Sequence, residues 1–434
     1  MPEVTGSSPV GSTIRFLLSA LIVSIAAHGS PSIRASLGWQ GIPVVGAVNP
    51  LYVHITNADP TPLRGELQVS QRVGFPWRGW ARVSLELEVL LPPGGKAAYL
   101  LPWPLAPGSR GISLRLRRGE EVLVEEEAPI PRMAGGLHGY LGPPPAAPAF
   151  PPVPLNTPDV SDPLLLSPFR ALSYMPEILP AAAREAVKAW EAYLADRGRS
   201  FPPRAVLAEA LGEIPLASRP LGAVAAGMTL YLVALGFALA RYARTGDPRP
   251  CLAVLLVAAA ASGAFSGLFM QGERAVEARW DLRDAAAPRF ALVFAAVATQ
   301  ETTEWSLPGI RFELLPDVEG GWAGKDVIWR AGPEAATAFT VASGGARIFW
   351  GLEPRDPAPE GERYLVEEGG IRGPDGRHLR PDGFIRGAPR GLRPLLRWLL
   401  GRVSPGDALW IRAEKEVHGN YVRHRFAVYI ERGT

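Results

Sequence analysis

Cysteine is almost missing: Cys251 is the one thiol in 434 residues, which excludes an intrachain disulfide and any metal site built on several thiolates. Lysine is scarce too, at Lys96, Lys188, Lys325 and Lys415 alone, so arginine carries the basic charge. The formal net charge is only +3, and the arginines are scattered rather than gathered into a stripe. Nucleic acid is therefore not an expected partner. A Gly-x-Ser-x-Gly elbow and a His-Glu-x-x-His helix are both absent, which removes the most recognisable hydrolase and metalloprotease arrangements. No catalytic residue, cofactor or metal ion is expected.

Long apolar runs are few. Leu221 to Ala240 and Leu252 to Met270 stand out, separated by a connector holding Arg241, Arg244 and Arg249 against the single Asp247. Each run approaches the ~20 residues that cross a bilayer as a helix, so the sequence predicts transmembrane helices over 220–240 and 251–271. The positive-inside rule then puts the connector in the cytoplasm and both flanking domains outside a cytoplasmic (inner) membrane. Ala259, Gly263 and Gly267 line one face of the second run, which predicts close packing against the first and also suits a homodimer or a partner subunit. Arg15 and the apolar stretch Phe16 to Ala27 have the form of a signal peptide over 14–29. Residues 1–13 read as a mis-assigned start, because Gly6-Ser7-Ser8-Pro9 back-translates into the T-arm of a tRNA gene.

The rest of the chain is mainly β. Leu51, Val53 and Ile55 alternate with Tyr52, His54 and Thr56, and Val83, Leu85, Leu87 and Val89 alternate with polar residues. Turn residues punctuate about seven such strands, predicting an immunoglobulin-like β-sandwich over 34–132, with Trp77, Trp80 and Trp103 as core fillers. Residues 133–158, rich in proline, read as an extended linker. Residues 159–219 read as a small helical region packed near the bilayer, with Ala183, Val187, Trp190 and Leu194 at helical spacing. A second β-rich, extracytoplasmic domain is expected over 272–434, ending in a hairpin turned at His418-Gly419-Asn420.

Motifs that carry chemistry are weak. Gly320-Gly-Trp-Ala-Gly324-Lys325-Asp326 has a phosphate-loop look, but its glycine spacing is short by one and Asp326 replaces the magnesium-binding hydroxyl, so a glycine turn is expected. His418 and His424 read as sheet-margin histidines rather than metal ligands, and His54 and His138 show no partner. Glu125 to Glu127, Glu301 and Glu304 read as solvated carboxylates. Leu392, Leu395, Leu396 and Leu399 predict an amphipathic helix, on which Arg390, Arg393, Arg397 and Arg402 suit either snorkelling over a core or contact with membrane lipid.

The order of parts, with Leu51 to Val69, Leu164 to Trp190 and the two apolar runs, resembles a broad group of uncharacterised bacterial membrane proteins: signal, Ig-like domain, a class I glutamine-amidotransferase-like domain, hairpin anchor and outer β-domain. The resemblance implies a scaffold or accessory role. Glutamine hydrolysis is excluded, since only the helix around Ala182 to Leu194 is kept and Cys251 lies in the apolar region. The function expected is thus a non-enzymatic, membrane-anchored envelope protein whose β-domains bind partner proteins, as in an export or assembly complex. Two alternatives are a surface-polysaccharide binder, requiring exposure of Trp305, Trp322 or Trp329, and a membrane-tethered hydrolase.

Overall fold

The computed structural model describes residues 30–433 except 76–78, 106–108, 110, 131–132, 176, 178, 197–200, 215–220, 259–274, 315–326, 332–333, 356–359 and 419–420. Seven strands come first: β1 (Ser32–Leu37), β2 (Val48–Thr56), β3 (Leu63–Phe75), β4 (Gly79–Leu91), β5 (Lys96–Pro104), β6 (Gly111–Arg118) and β7 (Glu121–Pro129). Period-two alternation sends Leu51, Val53 and Ile55 inward from β2 and Leu67 and Val69 inward from β3, all fully buried. β1, β2 and β5 form one sheet, and β4, β3, β6 and β7 are neighbours in another. Trp103 on β5 bridges the two, its Nε1 donating to Gln71 Oε1 on β3 at 3.2 Å. Trp77 lies outside the described residues.

The stretch expected to be a linker carries β8 (Leu137–Tyr140) and β9 (Pro152–Pro154). With β10 (Phe169–Ser173) they make a small parallel sheet in the order β10-β8-β9. Gly139 leaves room there for two leucines, since a Cβ would come within 2.6 Å of the Leu172 side chain and 2.7 Å of that of Leu155. Two helices follow, α1 (Ala181–Tyr193) and α2 (Arg204–Gly212), each entered from a proline whose ring favours a helical start.

α3 (Leu221–Thr245) covers the first expected span, and residues 249–258 are helical within the second. Among the described residues, no helix is long and apolar enough to cross a membrane. The transmembrane hairpin, and the inner-membrane location with both large domains outside that rested on it, are corrected on that finding. α3 does not end with its apolar residues but runs on through Arg241 and Arg244, so its last turn is charged. The start and signal assigned to 1–29 lie outside the described residues, as do Ala259, Gly263 and Gly267.

Twelve strands complete the chain: β11 (Ala275–Asp284), β12 (Phe290–Thr299), β13 (Thr303–Pro308), β14 (Phe312–Glu313), β15 (Val327–Ala331), β16 (Ala336–Val341), β17 (Ala346–Pro354), β18 (Glu362–Glu367), β19 (Gly370–Arg372), β20 (His378–Leu379), β21 (Ala408–His418) and β22 (Tyr421–Glu431). Nine form a sheet in the order β14-β17-β12-β11-β22-β21-β18-β19-β20. Helices α4 (Pro381–Gly387) and α5 (Arg393–Leu400), with α2, pack together beside one face of it. There Trp280 Nε1 donates to the Gly391 carbonyl at 2.8 Å, and Phe201 meets Phe294 and Trp350 edge-on. β12 is buried on both faces, which is why it reads Phe-Ala-Leu-Val-Phe-Ala-Ala-Val-Ala-Thr rather than alternating.

The remaining three strands leave that sheet. β15 runs parallel to β4, pairing Val327 with Val83 and Ala331 with Leu87, so β13, β16 and β15 extend the N-terminal sheet to seven strands in the order β13-β16-β15-β4-β3-β6-β7. The first and last thirds of the chain thus share one hydrogen-bonded layer. At the seam Trp329 is fully buried between Trp103 and Phe312, at 5.8 and 5.6 Å, and its Nε1 donates to the Arg311 carbonyl at 2.7 Å. Trp329→Ala should cost ~3–5 kcal/mol. In denaturant titrations its loss should lower N- and C-terminal reporters together in a single transition; separate transitions would contradict a shared layer.

Candidate interaction cleft

Where β15 meets β4, an open cleft of about 710 Å³ crosses the seam. Its lining comes from the start of β3 (Arg64, Gly65, Glu66), from β4 (Glu86, Leu87, Glu88), from the end of β6 (Arg117, Arg118) and Gly119 after it, and from β15 (Arg330, Ala331), with Pro62 at one end. Strand alternation explains the placement. Leu63 and Leu67 point into the core, so Arg64 and Glu66 between them point out. Gly65 lets β6 approach, because a Cβ there would come within 2.5 Å of the Arg117 carbonyl.

Both signs of charge are interspersed. Arg64 reaches Glu88 at 3.4 Å, Arg330 reaches Glu86 at 3.7 Å, and Arg117 turns outward to Glu120 at 3.3 Å. Arg64 and Glu88 are more than seventy per cent exposed, so each such pair adds at most ~1 kcal/mol and opens at little cost. Glu66 faces Glu88 directly across the ladder, and among the described residues Glu66 and Arg118 form no ion pair. No histidine, cysteine or hydroxyl occurs in the described lining. The described lining thus offers guanidinium and carboxylate groups.

A second cluster lies on the face of the nine-stranded sheet away from the helices. Arg279 pairs with Asp281 at 2.7 Å and with Glu353 at 2.6 Å, Arg355 bridges Asp281 and Glu353 at 2.8 and 2.6 Å, and the buried Arg311 binds Glu353. Burial pulls the Arg311 guanidinium down to about 10, with Arg279 adding repulsion. Gly351 makes this possible, since a Cβ there would sit 2.7 Å from the Arg311 guanidinium. These residues come from separate strands and a loop, so no local motif announces them. All five are consumed by one another, which makes the cluster a clamp rather than a receptor.

The residues singled out in the sequence fall elsewhere. Arg241, Arg244 and Arg249 are exposed around the α3 turn, where Asp247 Oδ1 accepts from the Arg249 amide at 3.1 Å. Of the arginines assigned to membrane lipid, Arg393 donates to the Ala388 and Arg386 carbonyls, Arg397 pairs with Glu209 at 3.0 Å, and Arg402 lies 4.2 Å over the Trp398 ring; Arg390 is exposed. Three of the four are thus engaged within the protein. Trp329 is core, Trp305 packs on Tyr421 at 5.1 Å, and Trp322 and the 320–326 loop lie outside the described residues. His418 stacks on Tyr421 and His424 lies beside Phe426. Among the described residues no group of three or more His, Cys, Asp or Glu is arranged to hold a metal.

His138 does have a partner that spacing could not reveal. Its Nε2 lies 2.8 Å from Ser173 Oγ, because β8 and β10 run side by side. Among the described residues no carboxylate hydrogen-bonds that imidazole, so the pair lacks the orienting group a serine nucleophile needs.

No protein-family model matches the chain, and no curated protein matches it. Among solved structures it is similar, over 24% of its length and 32% of the other's, to the Pseudomonas fluorescens alkylpurine DNA glycosylase AlkC bound to DNA containing an abasic-site analogue. The identity is 11% and the TM-score 0.19. So partial a likeness carries no argument about this chain, and what defines it is a β-rich body of joined sheets with a mixed-charge cleft across the join.

Two outcomes test the electrostatics. Glu353→Ala strands a buried guanidinium and should cost ~3–5 kcal/mol in urea denaturation, more than loss of the exposed Arg64–Glu88 pair. Asp162 is half-buried and its carboxyl is raised above the ordinary range by desolvation, its backbone bond from Leu164 opposing. A folded value above the unfolded one means the contribution is full at low pH and is lost as pH rises through the folded value. Asp162→Asn should therefore raise the melting temperature at pH 7 and leave it unchanged near pH 3; an equal change at both pH values would refute this.

Proposed function

We propose that the chain is a non-enzymatic protein whose β-rich body binds a partner protein at the mixed-charge cleft. The observation that supports this reading is the cleft itself: both ends of the chain contribute to it, its ion pairs are weak and exposed, and Glu66 and Arg118 stand ready for charges of opposite sign. Interspersed charge favours selection and register of one partner over others rather than raw affinity. An accessory role within a larger assembly fits such a surface. Polysaccharide binding is less well supported, since Trp329 is buried and the half-buried Trp305 packs edge-on against Tyr421.

The test places a photo-crosslinking residue at Glu88. A discrete partner should be captured, and Glu66→Arg combined with Arg118→Glu should lower that capture about ten-fold or more, or ~1.4 kcal/mol in binding. The double variant should melt like the unaltered protein, since both positions are exposed. Capture that survives the double reversal, or no capture at all, overturns the proposal.

A further inference from the structure

Ten of the sixteen large apolar side chains exposed among the described residues sit on α3 and on helical residues 249–258. Phe237 is 76% exposed, Leu230 72% and Leu256 70%. Together the ten present roughly 600–1,000 Å² of apolar surface. A monomer's largest patch is typically about 300–600 Å², and each side of a stable interface gives about 800 Å². This surface matches an interface in size and is large for one left in water.

We propose that it is covered by the same hairpin of a second copy of the chain. Along each helix one stripe is less exposed, Tyr231, Leu235 and Ala238 on α3 and Cys251, Val254 and Ala258 on the other. Spaced by three or four residues, each stripe is a single helical face, the pattern of two helices covering one another once. The other faces remain open. No charged residue interrupts α3 before Arg241 or the second helix from Leu252 to Ala258, so the occupant must be comparably apolar. Among the described residues, the surface of this chain with that character is the hairpin itself. Two hairpins side by side make a four-helix bundle in which every helix gains a second neighbour.

Charge sets the direction. Arg241, Arg244 and Arg249 outnumber Asp247 at the turn, so each tip carries a surplus of two positive charges. Tips placed together would repel. With the copies reversed about a two-fold axis near Val233, the two Cys251 residues stand about 30 Å apart, beyond a screening length of about 8 Å at physiological salt. The arrangement is isologous and closed, so it ends at two copies.

The test uses the full chain in detergent-free buffer. Sedimentation equilibrium should give the mass of two copies, and Phe237→Glu with Leu256→Glu should return one copy with an unchanged β-sheet circular dichroism spectrum. Because Cys251 is the sole thiol, mild oxidation should not link the unaltered copies, whereas Val233→Cys in a Cys251→Ser background should link them. A single-copy mass for the unaltered chain overturns the proposal. So does a two-copy mass that survives the double glutamate variant, oxidative linkage through Cys251, or flotation of single copies with phosphatidylcholine–phosphatidylglycerol vesicles.

Discussion

The parallel pairing of β15 with β4 is the constraint on which the rest depends. A strand at a sheet edge leaves a row of amides and carbonyls unpaired, and β4 would be such an edge if the N-terminal sheets stood alone. β15 fills that row with residues more than two hundred positions later in the chain. The join buries Trp329 against Trp103 and brings Arg330 beside Glu86, so one backbone ladder supplies both the deepest aromatic contact at the seam and one wall of the cleft.

Charge is used in two opposed ways. In the cleft, guanidinium and carboxylate groups are solvated and loosely paired, so exchanging an internal partner for an external one costs little. On the nine-stranded sheet, Arg279, Arg311, Arg355, Asp281 and Glu353 are largely shielded and saturate one another. Removing one member there strands the others away from water. The same residue types serve recognition in one place and cohesion in the other, and only solvent access separates the two.

Local pattern carried much of the β architecture. The β21–β22 hairpin and the inward set of β2 follow directly from alternation, and the leucines of α5 from helical spacing. Three things escaped for physical reasons. β8 and β9 are short, lie in a proline-rich stretch and are held by parallel rather than hairpin pairing, so nothing local distinguishes them from an extended linker. The cleft and the arginine cluster arise from pairings between distant strands, which composition cannot encode. The apolar runs invited a bilayer, yet Arg241 and Arg244 belong to the same helix as Leu230 and Phe237, and hydropathy alone does not say where a helix ends.

Gly351 has a wider meaning for how this chain can change. Its missing methyl group is the space that the Arg311 guanidinium occupies, and Arg311 in turn is neutralised through Glu353 on the same strand as the glycine. A larger residue at 351 would press on that guanidinium in its niche, and Glu353 would then depend on Arg279 and Arg355 alone. The three positions therefore behave as one heritable unit, and lineages that part with one should be found to have rebuilt all of them.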